Sequence, residues 1–501
     1  MSVRGNVVAN LIGRLWSSLM NFAFVPFYIK FLGIESFGLI GFFVSLLAVF
    51  FVLDMGLSTG INRELARLEG RPGGRLDARD LVRTLEFIYW ATGLGIGVFI
   101  IALAPWIAHN WLNARNLSVS EVTAAIRLMG VVAVLRWPTP LYTGGFMGIQ
   151  RQIILNVITG SVATLQGGGA VLVLWLVMPS IVAFFEWQVV ASAIQLVLLH
   201  AVLWRQIPLT EHRPSFSPAA LSSIWRFSAG VTGITLVSVV LTQLDKFLVS
   251  RFLPLESFGY YALAGSIAGV LNLAAMSVYG ALFPAFSQLI ASDRTEALRV
   301  LYHKGCQLLS ILLFPAGVAL AMFARELLSF YVRNQAVVEH THIILTLLVI
   351  GNMGLSIMLL PLALQLGYGW TTLSLYKNIV AVILFVPAMY VMILRYGTVG
   401  AALVWIALTI SYALIEIPLM HRRILQGEQV RWYLIDIGVP LGISIVVLGI
   451  LRLLLPANAA FLVAIPAIGL GALTASLLST ASLPATREWF ATIVFSRRAR
   501  N

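Results

Sequence analysis

Two arginines standing inside otherwise apolar segments are the strongest chemical signal in this 501-residue chain. Arg14 lies in the first such segment and Arg136 in the fourth, just ahead of Pro138 and Pro140. A guanidinium presents a fixed fork of N–H donors that fits the oxygens of a phosphate or carboxylate in pairs, and it stays charged at any pH the protein meets. Surrounded by hydrocarbon such a group is costly, so it must face a bundle interior or a wet cavity. The chemistry on offer is capture of an anion within a membrane.

Arg14 belongs to a stripe. Asn10, Arg14, Ser17, Ser18 and Asn21 fall at i, i+4, i+7, i+8 and i+11, which is one face of a helix. About 12 Å of helix separates Arg14 from the predicted start of its segment. Polar glue between packed helices would account for the serines alone but not comfortably for an arginine at that depth; inward snorkelling is the other structural reading. Two hundred and twenty-one positions further on stand Thr235, Ser238 and Thr242, opposite Arg14, Ser17 and Asn21, and Thr232 extends that row. Together with Arg136 these residues are the candidate lining of a hydrophilic cavity on a pseudo-symmetry axis. The prolines after Arg136 should break its helix near mid-membrane and free carbonyls that need protein or water around them. Arg127, nine residues earlier, is out of phase with Arg136 and is expected to make an interhelical pair near the outer surface.

The embedded acids divide between structure and switching. Asp54 sits at a depth similar to Arg14, so an Arg14–Asp54 salt bridge, fixed or broken when an anion competes for Arg14, is expected; both versions stand. Adjacent Asp245 and Lys246 suggest a gate or a local pair. Glu86, Glu186 and Glu416 could carry protons, or simply pair with a neighbouring arginine.

The elements that position these groups follow from composition. The chain is 59% hydrophobic and only 11% charged, about half the charge of a soluble protein. Apolar runs of this length read as spanning helices and exclude an outer-membrane barrel. Helices are predicted near 6–29, 36–60, 81–108, 121–147, 152–178, 180–204, 221–250, 256–284, 296–323, 336–366, 369–394, 397–420, 431–455 and 458–482, about fourteen in all. The first segment holds Arg14 and has no clear small-residue cleavage site, so it is read as a retained helix. Cys306 is the single cysteine and can form no internal disulfide.

The net charge of +13 is a topology signal rather than a nucleic-acid footprint. With the N-terminus inside, 21 of the 33 lysines and arginines fall in inner loops and tails, eight near the outer face and four within segments. That bias puts both termini in the cytoplasm. Arginines at 63, 67, 71, 75, 79 and 83 recur every fourth residue. They read as a basic interfacial segment on anionic headgroups, or as a capture site for a phosphorylated lipid; Pro72 and the nearby glycines interrupt the stripe.

Lys30-Phe31-Leu32-Gly33-Ile34-Glu35-Ser36-Phe37-Gly38 returns as Arg251-Phe252-Leu253-Pro254-Leu255-Glu256-Ser257-Phe258-Gly259. Pro140-Leu141 with Gly148 returns as Pro361-Leu362 with Gly369 at the same offset of 221. One offset held over more than a hundred residues implies duplication, and six crossings per copy make it a parallel repeat. The expected organisation is an all-α membrane protein with an N-lobe at 1–205, a C-lobe at 206–424, a two-helix appendage at 425–482 and a basic cytoplasmic tail at 483–501.

No catalytic motif is present. The seven histidines have no metal-ligand spacing, and Gly167-Gly168-Gly169 lies within a helix rather than between strand and helix, so it signals close packing. No nucleotide-binding motif occurs, which leaves an ion gradient (proton or sodium), the substrate gradient or a partner as the energy source. The loops are too short for the external catalytic domain of a membrane glycosyltransferase or polymerase.

Asn10 to Arg14, the Phe31–Gly38 motif, Leu53-Asp54-Met55-Gly56-Leu57 and Arg63-Glu64 resemble the opening of bacterial polysaccharide flippases. Gln243-Leu244-Asp245-Lys246, Phe258-Gly259-Tyr260-Tyr261-Ala262-Leu263-Ala264 and Phe283-Pro284 resemble that family's second repeat. These proteins form part of the multidrug/oligosaccharidyl-lipid/polysaccharide exporter superfamily. The resemblance is clear over roughly residues 5–300. It implies two lobes of six helices around a V-shaped cavity, two extra helices, residence in the inner membrane, and transport of undecaprenyl-pyrophosphate-linked oligosaccharide from the inner to the outer leaflet. Membrane lipids are implied surroundings, and a polysaccharide polymerase and glycosyltransferases are implied partners; nucleic acid is not. Pro254 where glycine is frequent, and Leu39 where an aromatic is frequent, are departures. An organic-cation antiporter of the same superfamily is the alternative, but it should line its cavity with acids where this chain has Arg14. A murein-precursor flippase is a close variant.

If the stripes carry the substrate, Arg14→Ala and Arg136→Ala should each abolish surface-polysaccharide export while the protein still inserts, scored by export and membrane-fraction assays. Wild-type export in both would remove the assignment.

Overall fold

The computed structural model describes residues 3–68, 74–207, 214–218, 239–456 and 460–483. Among them the chain is helical nearly throughout, with one isolated bridge between Asn113 and Pro254. Helices α1 (Val3–Ala23), α2 (Val25–Phe50), α3 (Leu57–Leu68), α4 (Gly74–Trp106), α5 (Val119–Arg136), α6 (Thr139–Gly148), α7 (Gln152–Leu176) and α8 (Ile181–Gln206) come first. Residues 239–252 form α9. Then follow α10 (Leu255–Ala291), α11 (Thr295–Met322), α12 (Ala324–Val332), α13 (Gln335–Ile357), α14 (Leu359–Gly367), α15 (Thr371–Arg423), the short α16 (Gln429–Arg431), α17 (Val439–Leu454) and α18 (Phe461–Ser482).

Ten helices among the described residues are long and apolar enough to span a membrane. Apart from 6–29 and 121–147, which are not among these ten, and 221–250, which lies mostly outside the described residues, the expected segments fall on them with local differences. Segments 369–394 and 397–420 run together as α15, interrupted at Gly397 with φ 58°. Segment 121–147 is two helices, because the prolines at 138 and 140 lack N–H donors and the helical hydrogen bonding is interrupted after Arg136, resuming at Thr139 with Pro140 in its first turn. Segment 336–366 breaks likewise at Met358, ahead of Pro361. Trp137 and Met358, the two break residues, are again 221 positions apart. Segment 36–60 ends early, at Asp54, because Met55 and Gly56 take left-handed φ values of 48° and 72°. The residues after them form α3, which buries Leu57, Ile61, Leu65 and Leu68 and exposes Arg63 and Arg67, the pattern of a helix lying at an interface.

By its contacts the chain divides into two compact units, Met1–Gly259 and Tyr260–Asn501. In the first, α4 packs on α5, α1 on α7, α3 on α6, and α8 on both α5 and α7. Small residues allow these crossings where no hydrophobic force separates protein from lipid. Gly97 of α4 and Gly130 of α5 face one another, and a Cβ on either would lie 3.1 Å from the other's carbonyl oxygen.

The duplicated motif packs against itself inside this unit. A Cβ on Gly38 would stand 2.6 Å from the carbonyl oxygen of Leu255, and one on Gly259 would collide with that of Ile34. The contact is reciprocal, because both pairs keep the 221 offset. The loop between α4 and α5 is tied to the same place. Asn113 donates to the Arg251 carbonyl at 3.1 Å and accepts from the Leu255 N–H at 2.9 Å. The buried carboxylate of Glu35 accepts the N–H groups of Arg115 and, at 2.9 Å, Asn116. Gly33 turns the first copy with φ 79°. Proline cannot adopt that angle, so the second copy turns differently, and Pro254 there bridges to Asn113.

In the second unit α11 is central, with α13 and α17 against it, and α17 paired with α18. Val318, Ala319 and Phe323 pack on Leu448 and Ile468 of the last two helices. A polar clasp adds to this. His303 is 1% exposed and sets one ring nitrogen against Asp436 and the other 3.0 Å from Glu428, while Gln307 donates to Asp436 at 2.8 Å.

Gly38→Val and Gly259→Val should each force backbones apart and cost about 1–3 kcal/mol, read as earlier loss of monodisperse protein on heating in detergent. Gly95→Ala, with open space around the new methyl, should leave the profile unchanged.

Candidate functional site

Arg136 ends α5, a helix begun by a capping box in which Ser118 and Glu121 satisfy each other's backbone N–H. The break at Pro138 leaves its side chain beside α8. There Nε donates to Ser192 Oγ at 3.0 Å and Nη2 to Gln188 Oε1 at 2.6 Å. Gln188 and Ser192 are one turn apart, so α8 offers both from one face. They are 6% and 1% exposed, and the half-buried guanidinium lies 5.9 Å from the Phe43 ring of α2. Among the described residues no carboxylate comes within ion-pair distance of Arg136. Neutral dipoles orient the charge without cancelling it, which is how a protein keeps a cation ready for an anion.

The first-helix stripe is less uniform than its spacing suggests. Arg14 lies in α1, but its side chain is outside the described residues, as are Thr232, Thr235 and Ser238. Asn10 is turned to α7, where it donates to Gln152 and accepts from Asn156 at 2.6 Å. Gly13 sits over Asn156, and Trp16 donates to Thr164 at 3.1 Å, so this part of α1 is joined to α7 by polar packing. Ser17 and Ser18 are half-buried and Asn21 is exposed. The Thr242 hydroxyl points to the Val239 carbonyl of its own helix, 3.4 Å away.

The buried acids are engaged. Asp54, 3% exposed, accepts the Tyr89 hydroxyl and, at 2.8 Å, the Ser58 hydroxyl. These partners account for its burial from neutral donors; the Arg14 half of the expected bridge lies outside the described side chains. Glu86 has the richest set. Its Oε1 accepts from Tyr142 at 3.0 Å, Trp204 Nε1 at 2.7 Å and His200 Nδ1 at 3.0 Å, and its Oε2 pairs with Arg83 at 3.3 Å. Glu416 pairs with Lys377 and accepts from Gln365 at 2.7 Å. Glu186 is exposed. Lys246 donates to the Thr242 carbonyl at 3.2 Å and to Gln243 at 3.1 Å, and Asp245 is 6% exposed. Arg127 is exposed and makes no ion pair among the described residues, so the interhelical pair expected for it is not formed.

Sequence reasoning overlooked α8. Gln188, Ser192 and Gln195 fall at i, i+4 and i+7 in an apolar helix, the same signal that drew attention to α1. The neutral amides attracted no notice because they carry no charge.

A bundle of long apolar helices with an arginine held open at a helix break defines a polytopic membrane protein of the transporter type. The chain belongs to the polysaccharide biosynthesis protein family, whose pattern matches residues 3–290; a second pattern, MatE, matches residues 232–391. It is 19% identical, over 81% of its length and 94% of the other's, to a Shigella flexneri protein assigned as an O-antigen transporter. It is 24% identical to the succinoglycan biosynthesis transport protein ExoT of Rhizobium meliloti and to the lipopolysaccharide biosynthesis protein WzxC of Escherichia coli. Those matches cover 63% and 47% of this chain, and 59% and 47% of the two relatives. Its fold is that of the lipid II flippase MurJ, with a TM-score of 0.69 at 13% identity over 94% of this chain and 98% of that one. A multidrug resistance MATE family transporter of the MOP superfamily, inward-facing, gives 0.65 at 15% identity over 81% and 96%. The resemblance to the exporter superfamily therefore holds, as does the all-α membrane fold.

Glu86→Ala would take the shared acceptor from Tyr142, Trp204, His200 and Arg83, at about 1–3 kcal/mol for a buried group such as the Tyr142 hydroxyl that loses a partner. It should lower the thermal midpoint of purified protein clearly more than Glu86→Gln, which keeps one acceptor.

Proposed function

We propose that this protein is a flippase that moves undecaprenyl-pyrophosphate-linked oligosaccharide from the cytoplasmic to the periplasmic leaflet of a bacterial inner membrane, by alternating access along a cationic passage, with both termini in the cytoplasm. The observation that carries the reading is Arg136, at the break between two apolar helices and held, among the described residues, by the neutral side chains of Ser192 and Gln188. A sugar–pyrophosphate head is large, hydrated and multiply negative. Moving it bare through hydrocarbon costs many kcal/mol, and a preoriented guanidinium replaces part of its hydration. The lipid tail stays in the bilayer throughout. Family membership, the transport names of two relatives and the lipopolysaccharide-biosynthesis name of a third support the same reading.

The organic-cation antiporter reading is weaker. A cation carrier needs an open acid in its passage, whereas the buried acids Asp54, Glu86, Glu416 and Asp436 each already accept from neighbouring donors. That leaves Glu186, exposed on α8, as the one open carboxylate among the acids the sequence singled out on membrane helices. The chain supplies no nucleotide-binding motif, so a proton, sodium or substrate gradient would drive net movement. Glycosyltransferases that build the lipid-linked unit and a polymerase that consumes it are the expected functional partners.

In proteoliposomes, flipping of fluorescent undecaprenyl-pyrophosphate-linked oligosaccharide should fall about tenfold or more in Arg136→Ala, the loss expected for a hydrogen bond to a charged group. Arg136→Lys, which keeps the charge but not the fork, should retain an intermediate rate. An Arg136→Ala variant that flips at the wild-type rate would end this proposal.

A further inference from the structure

We infer that Gln166 and Gln195, at the centre of α7 and α8, form a saccharide-binding subsite connected to Arg136; the inference rests on the flippase reading above. Three hydrogen bonds, joined through Gln188 and through the backbone and side chain of Gln166, connect the two places. Arg136 Nη2 donates to Gln188 Oε1 at 2.6 Å, Gln188 Nε2 donates to the Gln166 carbonyl at 3.4 Å, and Gln166 Nε2 donates to Gln195 Oε1 at 3.1 Å. The line ends in an amide pair with spare capacity. Gln166 Oε1 and Gln195 Nε2 bond to no described residue, and neither is among the buried polar atoms that lack a partner. Both side chains are half-buried. One free acceptor and one free donor therefore stand together on the bundle, near mid-span.

Such a pair is out of place against hydrocarbon, where an unsatisfied amide costs a few kcal/mol. Water or a polar ligand must cover it. Sugar hydroxyls both donate and accept, so a carboxamide pair meets them in either sense. Being uncharged, it adds selectivity for a glycan without tightening the grip on the pyrophosphate. The pair is preorganised as well. Trp187 donates to the Leu165 carbonyl at 3.1 Å and lies against Gly169, which sets the register of α7 on α8. One amide–amide bond would suffice to join the two helices; the accessible donor and acceptor are what that structural role leaves unexplained.

The test uses the full chain in proteoliposomes. Two probes are compared: undecaprenyl pyrophosphate bearing a neutral hexose oligosaccharide, and undecaprenyl pyrophosphate without sugar. Gln166→Met and Gln195→Met keep side-chain length and apolar packing while removing the hydrogen bonds. Each should weaken half-saturation for the glycosylated probe about fivefold, the value of one hydrogen bond, and leave the bare probe within about twofold. Arg136→Ala should weaken both probes. If a methionine variant does not assemble, Gln166→Asn or Gln195→Asn, which withdraws the amide by one methylene, is read the same way. Equal affinities for the glycosylated probe in wild type and in both glutamine variants would overturn the subsite, even where Arg136→Ala weakens both probes. Should Arg136→Ala weaken neither, the anion reading fails instead, and a sugar-selective loss in the glutamine variants would still support the subsite.

Discussion

Arg136, set at a helix break with only neutral partners among the described residues, is the feature on which the proposed chemistry of this protein depends. Hydrocarbon offers no hydrogen bonds, so each polar group within it must be satisfied by protein or by water. Arg136 is satisfied in part by Ser192 and Gln188, both neutral. A carboxylate in their place would have made a buried ion pair, stable to anions and useless for catching one. Neutral partners orient the fork and leave its charge to act at a distance. This is the arrangement a protein needs if an anion must bind and then leave.

The contrast with the acids supports that view. Asp54, Glu86, Glu416 and Asp436 are almost fully buried, and each sits in a set of donors that makes its burial tolerable. Removing any one partner would strand others, since a buried polar network is either complete or costly. Glu86 joins α4, α6 and α8 through Tyr142, His200 and Trp204. The same three-helix neighbourhood holds the break at Pro138 that sets Arg136 against α8. In the second unit His303, Asp436 and Glu428 serve a comparable purpose, fastening the last helices to α11. The acids thus shape the bundle, and Arg136 stands outside these networks.

Backbone geometry does the rest. Glycines at 38 and 259 let the two copies of the duplicated motif cross with carbonyls in near contact. Glu35 and Asn113 tie the loop between α4 and α5 to that crossing. Helix breaks at Trp137 and Met358 fall at equivalent positions of the repeat, each just before proline. Proline removes a helical N–H and crowds the preceding turn, so the break after Arg136 was expected from the residues alone, whereas 336–366 read as one helix.

What the amino-acid order determined by itself was everything governed by local chemistry and hydrophobicity. Apolar runs dictated membrane helices, the prolines dictated the break after Arg136, and the repeated Phe-Leu-x-x-Glu-Ser-Phe-Gly pattern announced the duplication. Tertiary structure decided the partners, because a side chain's neighbours across helices are not encoded in its own spacing. It gave Asp54 to Tyr89 and Ser58, turned Asn10 toward α7, left Arg127 without an ion pair among the described residues, and drew Gln188 and Ser192 to Arg136. Periodicity can name the face on which a residue stands. Only the packing of one helix on another settles what that face meets.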